Sequence, residues 1–374
     1  MNLYIHVPFC AQRCSYCDFY TQTKLGLRSS YVEALLRELE CRRPELPDGE
    51  SLQHIYFGGG TPSLLSPEDL GRIFEQIDRL YPRQKGGEVT LEANPDDVTS
   101  EYAAALRNLP INRVSMGLQS FQETDLKFLN RRHTTQQAIS AVGLLRQNGI
   151  TELSLDLIYG LPGQTLEAWD DNISQILGLE VPHISAYHLI YEEDTPLTKA
   201  LNLGKVIPVE EKVSLAMLHM LIERLTEAGY QHYEISNFAL PGHYAQLNTG
   251  YWQGAHYLGL GPAAHSYDGF RRSHNVASIE GYVASWERGE RLYSIEELSK
   301  KDLHNEYLMT RLRTMWGIDL TDMARVCGTE AAVRIERLTE PYVRDGKLTR
   351  IGEVLQLSSS GIFISDSILV ELFL

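Results

Sequence analysis

The sequence predicts an α/β chain: a parallel sheet with crossover helices, followed by a smaller, mostly helical domain. Three observations carry this. Six short β-rich runs alternate with amphipathic segments through the first two-thirds of the chain, and parallel neighbours need such crossovers, which are right-handed. Beyond about residue 275 the periodicity is almost entirely helical. The length of 374 residues exceeds one average domain, so a large core plus a smaller second one is the expected division. Residues 1–231 are expected to form the core, 232–275 to complete it, and 276–374 to form the C-terminal domain.

The strand runs are Leu3–Val7, His54–Phe57, Glu88–Glu92, Arg113–Gly117, Glu152–Tyr159 and His183–Leu189. Tyr31–Cys41 reads as the first crossover helix because Val32, Leu35, Leu36 and Leu39 recur at helical spacing. Ser66-Pro67-Glu68-Asp69 starts the next, with a cap residue, a proline in the first turn and two early acids. Further helices are predicted at Ser100–Asn108, Thr135–Asn148, Leu166–Leu179 and Val209–Ala228; Gly149 and Gly229 follow two of them at the C-terminal position. Pro44–Gly49 and Pro82–Gly87 read as surface loops.

Residues 232–275 are less regular and aromatic-rich. Helices then follow at Ile279–Arg288, Leu298–Thr314, Leu320–Cys327 and Ala331–Asp345, a small hairpin at Gly346–Leu348 and Val354–Leu357, and a final helix from about Ser360. This order looks like a winged helix, a module that suggests DNA but often serves only packing; the acidic chain favours packing. The sheet is either open and doubly wound or a curved partial barrel, and in both cases ligand sites collect at the carboxyl ends of the strands.

The formal charge is −15 at pH 7, which argues against a nucleic-acid partner, since phosphate binding needs a basic surface to displace counterions. Arg131-Arg132 and Arg271-Arg272 are the densest basic pairs and are short enough for ordinary surface or ligand contacts. The opening Asn2-Leu3-Tyr4-Ile5-His6-Val7 has no basic region before a long apolar one, unlike a secretory signal. No run approaches the ~18 apolar residues of a membrane span. Clustered cysteines fit a reducing compartment, so a cytoplasmic location is expected, with peripheral membrane contact left open.

Three of the five cysteines fall within Cys10-Ala11-Gln12-Arg13-Cys14-Ser15-Tyr16-Cys17. Three thiolates at this spacing can each bind one iron of a [4Fe–4S] cube, leaving one iron open to an outside ligand. The alternatives are a zinc site, with His6 as fourth ligand although it lies inside the preceding apolar run, or three unrelated thiols.

Tyr4-Ile5-His6-Val7-Pro8-Phe9-Cys10, with Cys14, Cys17 and Asp18-Phe19 behind it, resembles the signature of radical S-adenosylmethionine (SAM) proteins. More closely it resembles the group containing oxygen-independent coproporphyrinogen III oxidase and its HemW-type heme-chaperone relatives. The resemblance runs from residue 2 to about 270 and continues weakly to the C-terminus. It implies the partial (β/α)6 TIM-like barrel of radical SAM proteins, a [4Fe–4S] cluster on Cys10, Cys14 and Cys17, and SAM chelating the open iron through its methionine amine and carboxylate.

Phe57-Gly58-Gly59-Gly60-Thr61-Pro62 follows the second strand. By itself it is either a tight turn or a close-approach loop; beside the cysteine loop it is similar to the family's glycine motif, placing Gly59, Gly60 and Thr61 at the SAM amino group. Glu92 ends the third strand with a carboxylate suited to a ribose or an ammonium, or to a structural salt bridge. Gln119 and Arg131 match a family glutamine and arginine. Asp156 is an acid in a very apolar strand; unpaired, it costs several kcal/mol, and Arg131 is its expected partner. Tyr4 and Tyr16 complete the SAM set by resemblance, since their equivalents in the oxidase touch one or other of two SAM molecules.

Coproporphyrinogen oxidases carry a further Cys two residues after the last cluster cysteine and a long segment before the first. Here position 19 is Phe and only nine residues precede Cys10, which places the chain with the heme chaperones, so porphyrinogen decarboxylation is not expected. That branch usually carries H-N-x-x-Y-W, implicated in heme binding; this chain reads Leu247-Asn248-Thr249-Gly250-Tyr251-Trp252. Leucine cannot ligate iron, while Tyr251 and Trp252 can still pack on a flat macrocycle. His243, His256 and His265 lie nearby, and His265, which matches a family position, is the first candidate ligand.

The leading expectation is therefore a protein that binds an Fe–S cluster, SAM and heme, and hands heme to an acceptor protein, with a reductant such as flavodoxin or ferredoxin if SAM is cleaved. The alternatives are an oxidase-type radical enzyme acting on a tetrapyrrole, and a structural Fe–S protein whose C-terminal module docks a partner.

Overall fold

Alternation with period two decides which face of each strand meets which environment. In β1 (Asn2–Val7), β2 (Ile55–Gly59), β3 (Val89–Ala93), β4 (Arg113–Gln119), β5 (Glu152–Tyr159) and β6 (His183–His188), one register row runs Ile5, Phe57, Leu91, Val114, Leu153. All five are fully buried beneath the crossover helices. The opposite face is polar, with Tyr4, Tyr56, Thr90 and Arg113 in one row and Glu92, Ser115, Ser154 and His183 in the next. The computed structural model describes residues 1–374.

The crossover helices are α1 (Arg28–Cys41), α2 (Pro67–Leu80), α3 (Ser100–Leu106), the short α4 (Glu123–Phe128), α5 (Thr135–Gln147), α6 (Leu166–Gly178), the short α7 (Pro196–Asn202) and α8 (Glu211–Glu227). Side-chain caps on the orphan amides fix where several begin: Ser66 accepts from Asp69 N, Thr165 from Ala168 N, and Thr134 with Gln137 closes a capping box. Trp169 of α6, fully buried, donates to Met217 O of α8 at 3.0 Å and locks that pair together.

The aromatic-rich stretch extends the sheet at both edges. β8 (Asn237–Ala239) adds antiparallel to β6, and β7 (Gln231–Glu234) pairs antiparallel to β8 at the edge. After α9 (Gln246–Trp252), β9 (Tyr257–Leu260) pairs parallel to β1, and β10 (His265–Tyr267), β11 (Arg271–Asn275) and, beyond α10 (Ile279–Glu287), β12 (Tyr293–Glu297) continue antiparallel. The twelve strands run β12-β11-β10-β9-β1-β2-β3-β4-β5-β6-β8-β7. The parallel core therefore has seven strands, not six, and β12 is formed by an entirely exposed run. Polar-face residues of β2 to β6, with Ala245 and Asn248, enclose one chamber of about 60 Å³, so the sheet curves as a partial barrel; its end strands are unpaired with each other.

A second core of 13 buried residues, separate from the main core of 57, gathers the C-terminal region. It is built from α11 (Lys300–Leu312), β13 (Ile318–Asp319), α12 (Leu320–Cys327), α13 (Thr329–Arg344), the hairpin β14 (Leu348–Ile351) and β15 (Val354–Leu357), α14 (Ser359–Ile362) and α15 (Ser365–Leu372). β13 makes the hairpin three-stranded, and the final helix is divided in two. Met315 N donates to Tyr233 O at 2.9 Å, tying this unit to β7.

Candidate functional site

The cysteine loop leaves the sheet where β1 ends, at the carboxyl edge of the strands. Phe9, fully buried, anchors its first residue, and reciprocal backbone bonds close its base: Cys10 N to Gln22 O at 2.9 Å, Gln22 N to Pro8 O at 2.6 Å. The far side is held by Ser15 N to Leu129 O and Leu197 N to Ser15 O, and by Asn130 Nδ2 to Arg13 O at 2.8 Å. Cys10, Cys14 and Cys17 are free thiols, half-buried, and all three line one cavity of about 410 Å³. That volume lies in the range of small-molecule sites.

A hydrogen-bonded chain links two of the sulfurs around the cavity wall. Thr61 Oγ1 donates to Cys10 Sγ at 3.5 Å and accepts from Asn94 Nδ2 at 3.3 Å. Arg131 Nη2 donates to Asn94 Oδ1 at 2.8 Å and to Gly117 O at 2.6 Å, while its Nη1 donates to Cys14 Sγ at 3.3 Å. Arg131 thus serves Cys14 and makes no ion pair with Asp156, correcting the sequence expectation.

Asp156 meets its burial cost in another way. Burial pushes its carboxyl up to about 6, against the Ser185 hydroxyl opposite it in the sheet and the charges of Arg131 and Arg113. Glu92 is likewise pushed up to about 7, first by burial, although Tyr56 OH and Gly59 N donate to it at 2.7 and 3.1 Å. Both carboxylates border the cavity. Gly59 has φ of +111°, and a Cβ there would lie 2.5 Å from the His6 ring; at Gly60 it would lie 2.6 Å from Phe9 O. The glycine turn is thereby pressed against the strand that carries the cysteines.

Gln119 sits at a β-bulge with φ of +73°, a conformation a non-glycine residue rarely holds, and its buried Oε1 has no partner. The buried Nε of Arg131 is also unpartnered. These orphaned atoms at the cavity wall, with the glycine cradle and the three thiols, fit a polar ligand beside a thiolate-bound metal centre. No three His, Cys, Asp or Glu side chains converge on a single-ion position. A cubane draws each thiolate to a different iron and does not need the three sulfurs at one point. Tyr16 lines the cavity, as do Gly59, Gly60 and Thr61; Tyr4 stands behind them, bonded to His6 Nδ1 at 3.1 Å.

The profile of the Radical SAM superfamily matches residues 4–176, and that of the HemN C-terminal domain matches residues 298–364. Over 373 residues the chain is 34% identical to the heme chaperone HemW of Mycobacterium tuberculosis, covering 98% of this chain and 93% of that one. The chain belongs to the radical SAM superfamily, in its HemW branch. The heme chaperone HemW of Escherichia coli is 32% identical, with 100% and 98% of the two chains covered. The coproporphyrinogen III oxidase HemN of Escherichia coli, a radical SAM enzyme, superposes with a TM-score of 0.84 at 22% identity over 100% of this chain and 89% of that one, and so shares its fold.

In this HemW-branch chain the heme candidates sit in different surroundings. Leu247 is 1% exposed and packs inward. Tyr251 is half-buried, its ring 4.6 Å from that of Tyr257 in an edge-to-face pair, and Trp252 is half-buried beside it. His243 is committed to Glu152, 2.9 Å away. His256 packs edge-on to Tyr267. His265 is exposed, and its ring stacks on that of His274 at 5.1 Å. The sequence reading missed His274, together with Asn94, Asn130 and Tyr187 of the cavity wall. Asn94 carried the one available signal, since it follows Glu92 in the same strand-end turn. No helix is long and apolar enough to cross a membrane.

Proposed function

We propose that this protein is a heme chaperone that holds a [4Fe–4S] cluster on Cys10, Cys14 and Cys17, SAM beside it, and heme on the neighbouring concave face, and that it passes heme to an acceptor protein. The observation that carries the reading is the opening of three free thiols onto one cavity walled by Gly59, Gly60, Thr61, Glu92, Gln119, Arg131 and Asp156. The names of the HemW relatives support the heme part. When bound, cluster and SAM supply a redox centre with one iron open to a chelating ligand.

The chain's own residues divide the work. Arg131 and Thr61 donate to the sulfurs of Cys14 and Cys10 and so fix where the two sulfurs stand; burial raises the Cys10 thiol in spite of the Thr61 bond. Burial pushes the Cys17 thiol up to about 11, a cost that metal binding must offset. Glu92 and Asp156 offer carboxylates to the ribose and the cationic end of SAM, and Gln119 Oε1 offers an unused acceptor. A reductant such as flavodoxin or ferredoxin is required only where SAM is cleaved.

The test is titration of the anaerobically reconstituted protein with heme. A saturable Soret change near one equivalent is expected. Absence of saturable binding, or formation of 5′-deoxyadenosine coupled to loss of carboxylate from coproporphyrinogen, would replace this reading, the second with the oxidase.

A further inference from the structure

His265 and His274 are directly opposite one another on the antiparallel strands β10 and β11. Directly opposed residues bring their side chains together on one face. Both side chains are exposed, and the rings lie 5.1 Å apart at 26°. The register carries their face back to the cavity. Tyr267 opposes Tyr257, and Tyr257 opposes Asn2, two residues from Tyr4 on the same face of β1. The pair therefore shares the concave face with Tyr257 and Tyr267, whose rings are 6.4 Å apart, and with Tyr251, which packs on Tyr257. Together they form an exposed imidazole pair at the edge of an aromatic floor.

The backbone under the pair is rigid. Glu38, fully buried on α1, accepts from Asn275 Nδ2 at 2.7 Å and from Gly261 N at 2.8 Å, and its partner Arg42 donates to Ser266 Oγ at 3.0 Å. These contacts flank both histidines in sequence, so the imidazoles stand on pinned strands rather than on a loop, as a preformed site requires.

Two kinds of metal could take an imidazole here, and the donor count separates them. A free divalent ion wants three or four protein ligands, and no third His, Cys, Asp or Glu side chain converges on the pair. Heme iron arrives with four ring nitrogens and asks the protein for one axial imidazole, and its flat macrocycle suits an aromatic floor.

We infer that the His265–His274 pair is the axial-ligand site for heme, one imidazole binding iron while the other stands beside it as an alternative ligand. This rests on the heme reading above. Both imidazoles stand on the same face of the sheet, so a heme held by either would be bound from that side and would remain open to a ligand from an acceptor protein, without need of the histidine replaced at Leu247.

The test uses the full chain with its cluster reconstituted, and compares hemin titrations of the wild type, His265→Ala, His274→Ala and the double variant, with circular dichroism to confirm folding. The wild type should show a five-coordinate imidazole-ligated Soret spectrum. Each single variant should retain ligation with several-fold weaker binding, and the double variant should lose the ligation signature and about tenfold or more in affinity. Added free imidazole should restore ligation in the double variant. A double variant that titrates like the wild type would overturn the assignment of the pair while leaving heme binding intact. Wild-type protein that binds zinc or nickel ions at the pair, and heme without dependence on it, would overturn it in favour of a divalent-ion site. Wild-type protein that binds no heme would remove the preceding functional reading itself.

Discussion

Arg131 donates to the sulfur of Cys14 at 3.3 Å, and its other terminal nitrogen reaches Asn94 and the carbonyl of Gly117. A single guanidinium thus joins the cysteine loop, the end of β3 and the end of β4. Arg131→Met should leave three acceptors without their donor. At roughly 1.5–3 kcal/mol for hydrogen bonds to charged groups, a loss of about 2 kcal/mol in urea unfolding is expected, with lower iron and sulfide content after anaerobic reconstitution. Arg131→Lys should recover only part of this, because an ammonium cannot reproduce the planar fork.

Gly59→Ala and Gly60→Ala should separate folding from cofactor binding. Each new methyl would sit about 2.5 Å from the His6 ring or 2.6 Å from Phe9 O, so the turn must retreat from the cysteine strand. Circular dichroism is expected to stay native while SAM affinity, read by equilibrium dialysis, falls about tenfold or more.

Glu92 and Asp156 predict a pH dependence of the cluster-free, SAM-free protein. Their folded values lie at about 7 and about 6, against ordinary values of 4.5 and 3.8. Between each pair of values the folded chain holds more protons than the unfolded one, so stability falls as pH rises from about 4 to about 7. Glu92→Gln should flatten this slope by about 1–3 kcal/mol across the window, measured by urea unfolding at a series of pH values. An unchanged slope would show that Glu92 is an ordinary ionised carboxylate.

Glu38→Ala should be among the most damaging substitutions away from the cavity. The carboxylate accepts from Arg42, Gly261, Asn275 and Tyr282; its removal leaves Gly261 N and the Tyr282 hydroxyl without an acceptor and takes one bond each from Arg42, which keeps Glu45 and Gly259 O, and Asn275, which keeps Gly261 O. A loss of about 2–5 kcal/mol is expected, at about 1–3 kcal/mol for each buried donor left unpaired, read from the urea midpoint.

Legibility from sequence followed the range of the forces involved. β5 and α12 were readable to the residue because apolar runs and caps act locally. β9 was hidden because its four residues gain strand character only by pairing with β1 across the chain, and β12 because none of its residues is buried. The residue types lining the cavity were visible in the motifs, but the partnership of Arg131 was not. A buried acid suggests a salt bridge, yet Asp156 sits instead with its carboxyl raised beside Ser185, which frees the arginine for Cys14. His274 lies in no motif, and only strand register places it against His265.

Electron paramagnetic resonance of the reduced, anaerobically reconstituted protein with and without SAM tests the cluster site most directly. A signal of a [4Fe–4S] cluster whose g values shift when SAM is added is expected, and loss of that signal in Cys14→Ala. Zinc in place of iron at these thiols, or a cluster signal that SAM leaves unmoved, would contradict that expectation.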